Sequence, residues 1–477
     1  MIRQLWATKL PQASHSDANR LNLHRTLGPW GLTALGIGAV IGGGIFVITG
    51  KAAANHAGPA IILSFALAAL CCVFCALAYA EFAAMVPVSG SAYTYTYATL
   101  GELPAWFIGW MLVLEYGVSA SAVAASWTGY FLSLLRQFDI HLPSVLVSAP
   151  LDAQLKPTGA IANVPAVGLV LLLTWLCYLG IRKSAAVNMA MVILKTGLIV
   201  LVIVVGWRYI DTANWTPFIP ENQAPGKYGW EGVLRGASMV FFAYIGFEAV
   251  SVAAQETRRP QKDLPIGMML SLLICTLLYI GMAAVLTGLV PYTQLGTDEP
   301  VVTAVAAHAS LGWLRLVVEI GALLGLSSVV LVMIIGQPRI FMIIANDGLL
   351  PPVFTRIHPK YRTPHINTII TGIGIAVLAA VFPLDILGEL TSMGTLIAFA
   401  SVCAGVLILR HTQPDLPRPF RIPFAPLICL LGIGSCLTLL STMTLHNWLL
   451  MLLWTALGFL IYFVYGYRHS RIRVKGP

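Results

Sequence analysis

The chain has 477 residues, of which 58% are hydrophobic and 10% charged, and its mean hydropathy is +0.83. That is too little charge to cover a water-soluble domain of this size, and the apolar runs are long and continuous rather than alternating with period two. A soluble enzyme and a β-barrel are thereby excluded, and the net charge of +9, spread over short connecting stretches, is not a nucleic-acid face.

Residues 1–27 are polar, lack an apolar core and are expected to be a cytoplasmic segment without a cleavable signal. Twelve apolar segments then follow, each near the length of about 20 residues that crosses the hydrocarbon core. They cover 30–53, 58–86, 103–135, 164–182, 186–208, 232–256, 265–290, 312–345, 366–383, 385–409, 424–443 and 446–467. The pattern predicts an all-α polytopic membrane protein with a transmembrane domain over 28–467 and a tail over 468–477. Residues 86–102, rich in Tyr and Thr and free of basic residues, read as an interfacial or re-entrant connection.

Basic residues alternate sharply between the two sides. One side receives Arg3, Lys9, Arg20, Arg25, Arg182, Lys183, Arg258, Arg259, Lys262, Arg356, Lys360, Arg362, Arg410, Arg418, Arg421, Arg468, Arg471, Arg473 and Lys475. The other receives Lys51, Arg136, Lys156, Arg208 and Lys227. The bias places both termini in the cytoplasm of a plasma (inner) membrane. All eight cysteines lie in apolar runs. Cys72 and Cys75 have CxxC spacing, but no second pair or nearby His accompanies them, so they read as core residues and no metal or cofactor is expected.

Two spans carry interruptions. Gly42-Gly43-Gly44 breaks the first, and Phe241-Phe242-Ala243-Tyr244-Ile245-Gly246-Phe247-Glu248 breaks the sixth. Each Gly costs about 1 kcal/mol relative to Ala in a helix, and a mid-membrane carboxylate is expensive unless it faces protein or water. A broken helix exposes N–H groups at one half-end and carbonyls at the other, ready for a carboxylate and an ammonium. The breaks open the first and sixth of ten spans, as in a five-plus-five inverted repeat: 30–208 and 232–409, with 424–467 appended.

Gly36-Ile37-Gly38 with Ile41-Gly42-Gly43-Gly44-Ile45-Phe46 resembles the first-span signature of the amino acid–polyamine–organocation superfamily. Phe242 to Glu248, with Glu256-Thr257-Arg258-Arg259-Pro260 after it, is similar to that group's sixth span and following loop. The cationic amino acid transporter subfamily fits best, supported by Leu114-Glu115-Tyr116 and Asn346-Asp347-Gly348-Leu349-Leu350. The resemblance implies a LeuT-type fold with broken helices 1 and 6 and secondary-active uptake of L-amino acids. Cationic substrates are favoured; small neutral amino acids of the alanine type, or exchange, are the alternatives. Protons and membrane lipid are the implied partners, and an accessory membrane protein is left open.

Carried over residue by residue, the resemblance gives Gly42, Gly43 and Gly44 the substrate carboxylate. Ile41, Phe242 and Ile245 take its ammonium through their carbonyls, and Ile45 lines the same turn. Phe242 also forms a lid, and Glu248 is assigned to structure and gating. Lys195, deep in the fifth span, is expected where sodium-coupled relatives hold sodium, between the first and eighth spans, and is assigned to proton coupling without sodium. Glu115 either pairs with a cationic substrate side chain or bonds a neighbouring helix. Ser327 and Ser328 leave room for a long side chain, and Glu319 has Arg315 one turn away. No channel filter, catalytic constellation or nucleotide-binding loop is present in the sequence, so neither an enzyme nor an ATP-driven pump is expected.

Overall fold

The twelve apolar segments all fall on helical structure, and no β-strand occurs among the described residues. The computed structural model describes residues 6–8, 27–85, 91–180, 184–361 and 363–471, without the side chains of 184–188 and 255. Arg3, Lys9, Arg20, Arg25, Arg182, Lys183, Arg362, Arg473, Lys475 and the stretch 86–90 lie outside the described residues.

In chain order, α1 (Pro29–Val40) meets a break and the chain resumes helical winding from Gly44 to Ala57. Then come α2 (Ile61–Met85), α3 (Glu102–Val113), α4 (Ser119–Arg136), α5 (Val164–Leu179) and α6 (Ser184–Gly206). A π-turn, Leu114–Val118, joins α3 to α4. The second half holds α7 (Gly229–Val240), a break, α8 (Pro260–Leu289) and α9 (Gly312–Asn346). It ends with α10 (His365–Val381), α11 (Leu384–Thr412), α12 (Ala425–Ser441) and α13 (Leu445–Ile461). Among the described residues, eight helical stretches are long and apolar enough to cross a membrane, and four more, α1, α5, α10 and α12, are apolar but shorter.

The local sequence explains several of these ends. Pro29 and Pro260 occupy first helical positions, where no N–H is needed. The Asn163 side chain accepts from the Ala166 N–H and starts α5. Leu and Val on α12 and α13 remain exposed along faces suited to lipid, while aromatic side chains fill the interior. α8 packs on both α1 and α2, so the first break is held from two directions.

The Tyr-rich stretch, read as an interfacial or re-entrant connection, is packed inside the fold. Ser91–Thr99 is a helix packed on α3 and α11, and Tyr93, Tyr95 and Tyr97 are all buried. Tyr95 stacks on Phe82 at 4.9 Å and meets Tyr79 edge-on at 6.2 Å. Ring packing holds this segment inside the fold.

Ion pairs mark the helix ends. Glu81 takes Arg410 at 2.5 Å and Arg418 at 3.6 Å. Glu319 takes Arg315 at 3.2 Å and the Ser133 hydroxyl at 2.5 Å. Asp347 accepts from the Tyr93 hydroxyl at 2.8 Å.

Candidate functional site

The first interruption is real backbone breakage. α1 stops at Val40, and Ile41 turns extended, with φ −74° and ψ 100°. Among the described residues no backbone carbonyl accepts from the N–H of Gly42 or Gly43. Such unpaired donors at a helix start form an anion-binding end. The second interruption begins where α7 tightens into a 3₁₀ turn, Phe241–Tyr244. Ile245 is extended at φ −62° and ψ 131°, and Gly246 follows at φ +121°, a conformation open to glycine.

The two breaks cross. A Cβ on Gly44 would stand 2.3 Å from Cα of Ala243, so only glycine permits this approach. Tyr279 of α8 clamps the crossing, its hydroxyl lying 3.0 Å from the Val40 carbonyl and 2.8 Å from that of Ala243. Tyr130 of α4 donates to the Phe46 carbonyl at 2.6 Å and steadies the far half.

A narrow cavity of about 10 Å³, room for about one water, opens at this crossing. It is lined by Ala39 and Val40 of α1, by Gly42, Gly43, Gly44, Phe242 and Ile245 of the two breaks, by Ser119 and Val123 of α4, and by Val329 and Met333 of α9. No charged side chain belongs to this lining. The Phe242 ring packs over Gly43 and Gly388 and is almost fully buried.

Lys195 lies beside the cavity, fully buried. Its Nζ donates to the Gly38 carbonyl at 2.5 Å, the Ile41 carbonyl at 2.9 Å and the Ser328 hydroxyl at 3.3 Å. It thus bridges α1 and α9, the first and eighth apolar segments. Ser328 passes its own proton to the Gly325 carbonyl at 2.7 Å. No carboxylate pairs with Lys195 among the described residues.

The structure brings Gly42, Gly43, Gly44, Phe242 and Ile245 together on the lining, with Lys195 beside it, but not every residue singled out in the sequence; Ile41 is off the lining, and its carbonyl accepts from Lys195. Ile45 is buried behind the cradle and is absent from the cavity lining. Ser327 is half-buried, donates to the Leu323 carbonyl at 2.7 Å and does not reach the cavity; its neighbour Ser328 meets Lys195 instead. Glu115 sits in the π-turn, one turn before Ser119, and is buried without lining the cavity. Neither Glu115 oxygen accepts a bond from a described residue, and Glu248 and Thr395 are its polar neighbours. Glu248 accepts from the Gly246 N–H at 3.0 Å, which ties it to the backbone of the break.

Ser119, Val123, Val329, Met333, Tyr130 and Tyr279 were missed as site residues. Val123, Val329 and Met333 look like any other core positions, Ser119 like any small residue in a span, and a Tyr in a span carries no mark of the carbonyl that it reaches.

Residues 27–464 match the family model described as amino acid permease. The chain is 47% identical over 452 residues to the branched-chain amino acid permease BcaP of Bacillus subtilis (strain 168), covering 94% of this chain and 95% of that one. It is 43% identical over 472 residues to the methylthioribose transporter of the same organism, covering 98% and 99%. Against cationic amino acid transporter 4, vacuolar, of Arabidopsis thaliana it is 37% identical over 385 residues, covering 80% of this chain and 63% of that protein. With its helical architecture and paired helix breaks, the chain belongs to the amino acid permease family of the amino acid–polyamine–organocation superfamily, multi-pass membrane transporters and not enzymes.

Proposed function

We propose that this protein takes up neutral L-amino acids with apolar side chains, in the size range of leucine and valine, by proton-coupled, sodium-independent alternating access. The cavity wall carries the substrate assignment: the breaks supply backbone for the zwitterion, and Val123, Phe242, Val329 and Met333 face the side chain. A zwitterion needs no charged partner where one half-helix offers N–H groups and the other offers carbonyls. Ile41 can serve both Lys195 and a substrate ammonium, since a carbonyl has two lone pairs.

Preference for cationic substrates, expected from the resemblance, gains nothing from this lining, because Glu115 is not on it. The branched-chain permease, 47% identical, supports the apolar reading. The methylthioribose transporter favours a second reading, since that substrate also ends in an uncharged apolar group.

The proposal keeps twelve spans over 28–467 in a LeuT-type five-plus-five repeat, with both termini cytoplasmic in the plasma membrane. The segment 1–27 and the tail 468–477 flank this domain. In that frame Gly42 to Gly44 open the outward half of span 1, Phe242 is the outer lid and Glu248 holds the inner side of the second break. Lys195 supplies the coupling proton: its ammonium holds the Gly38 and Ile41 carbonyls, and its release would loosen α1 from α9. Membrane lipid surrounds the domain, and an accessory membrane protein is not required by the site.

Uptake into proteoliposomes under an inward proton gradient tests the substrate, with leucine, alanine, arginine and methylthioribose compared. The expected order puts leucine first and arginine last. Arginine uptake that exceeds leucine and collapses in Glu115→Gln would return the assignment to cationic substrates.

A further inference from the structure

Eight free cysteines are buried in this fold, and five of them converge. Cys71 and Cys75 share one face of α2 at i and i+4. Cys429 and Cys436, seven apart on α12, lie on the inward stripe of that helix with Gly432 between them. Cys403 comes from α11. The Sγ of Cys436 lies 3.7 Å from that of Cys71 and 3.6 Å from that of Cys75. Cys403 Sγ is 4.0 Å from Cys75 Sγ. The spacing is set by backbone approach: a Cβ on Gly432 would stand 2.9 Å from the Cys403 sulfur and 3.7 Å from that of Cys75.

We propose that Cys71, Cys75 and Cys436 bind one soft, thiophilic d¹⁰ cation, of the Cu(I) or Zn(II) class, that staples α2 to α12, with Cys403 of α11 next to Cys75. Sulfurs about 2.3 Å from one tetrahedral metal lie about 3.8 Å apart, given ordinary zinc–sulfur bonds. The separations of Cys436 from Cys71 and Cys75 are close to that edge, and the three sulfurs all lie within 4.8 Å of one another. Soft thiolate ligands select this class of ion over hard cations. Each thiol that becomes a thiolate releases a proton on binding.

The site is separate from the substrate cavity, none of whose lining residues is a cysteine.

The test uses the full chain, purified in detergent with a non-thiol reductant. One arm adds Cu(I) from a competing chelator, and the other adds Cd(II) as the spectroscopic stand-in for Zn(II). Saturation at one ion per chain, with an ultraviolet thiolate-to-metal charge-transfer band, is expected in at least one arm, and the arm that saturates gives the charge of the ion. Cys75→Ala and Cys436→Ala should each weaken binding roughly tenfold or more, by analogy with the sensitivity of metal sites to their supporting groups. Cys177→Ala, which is outside the cluster, should not change it. If either variant fails to elute as a single species, Cys71→Ala on the same face replaces it. No saturable band in either arm, or binding unchanged by the cluster variants, overturns the site.

Discussion

Among the described residues, two cations are buried within the apolar helices, and they are held in opposite ways. Arg235 of α7 pairs with Glu389 of α11, whose other oxygen takes the Asn447 amide at 2.5 Å and the Thr444 hydroxyl at 3.2 Å. Lys195 of α6 has only carbonyls and a serine hydroxyl. The first charge is neutralised and its partner is fully bonded, so neither group can change protonation without stranding the other. The second can lose its proton without leaving any carboxylate unpaired. Arg235 therefore reads as structure and Lys195 as a moving part. The chemistry of the side chains agrees, since a guanidinium stays protonated while a lysine can deprotonate.

The contrast can be broken at its stronger end first. Arg235→Ala strands Glu389 in the interior and should cost about 3–5 kcal/mol, read as a loss of thermal stability in detergent. Replacing both by Leu should restore much of that loss, which a role for Arg235 in substrate binding would not allow. Gly44→Ala sharpens the account at the cavity. The added methyl runs into Ala243, and overpacking of this kind costs about 1–3 kcal/mol. Leucine uptake should fall with it, while Gly168→Ala, with open space around its Cβ position, should not affect uptake.

Glu115→Gln should have a smaller effect on leucine, a change in affinity of less than tenfold, because the carboxylate is off the cavity lining. Ser327→Ala should be smallest of all. It removes one bond to the Leu323 carbonyl, worth about 1 kcal/mol or less, and should leave leucine affinity unchanged in a binding titration.

Much of this architecture is readable in the sequence, because breaks in a bilayer leave few alternatives. Three adjacent glycines and a glycine beside Glu248 announced both interruptions, and a lysine far from either end of its span announced a partner inside the fold. What escaped depends on register and on pairings between distant residues. Ser327 and Ser328 are neighbours in the chain but point about 100° apart on the helix, and only the second meets Lys195. Cys72 and Cys75 drew attention by their spacing, yet α2 turns Cys71 and Cys75 together toward α12. Arg235 and Glu389 are 154 positions apart, and nothing local to either names the other. Side-chain walls such as Val329 and Met333 are invisible for a simpler reason: they are ordinary apolar residues, and their role comes only from the cavity beside them.

The most direct test of Lys195 as the moving cation is proton entry during transport. Leucine added outside proteoliposomes that carry an internal pH dye should acidify the lumen for the unaltered protein. In Lys195→Ala that acidification should vanish while leucine-for-leucine exchange continues, since the Gly42–Gly44 cradle and the apolar wall remain. Leucine-driven acidification that persists in Lys195→Ala would contradict the account and move the coupling proton to another group.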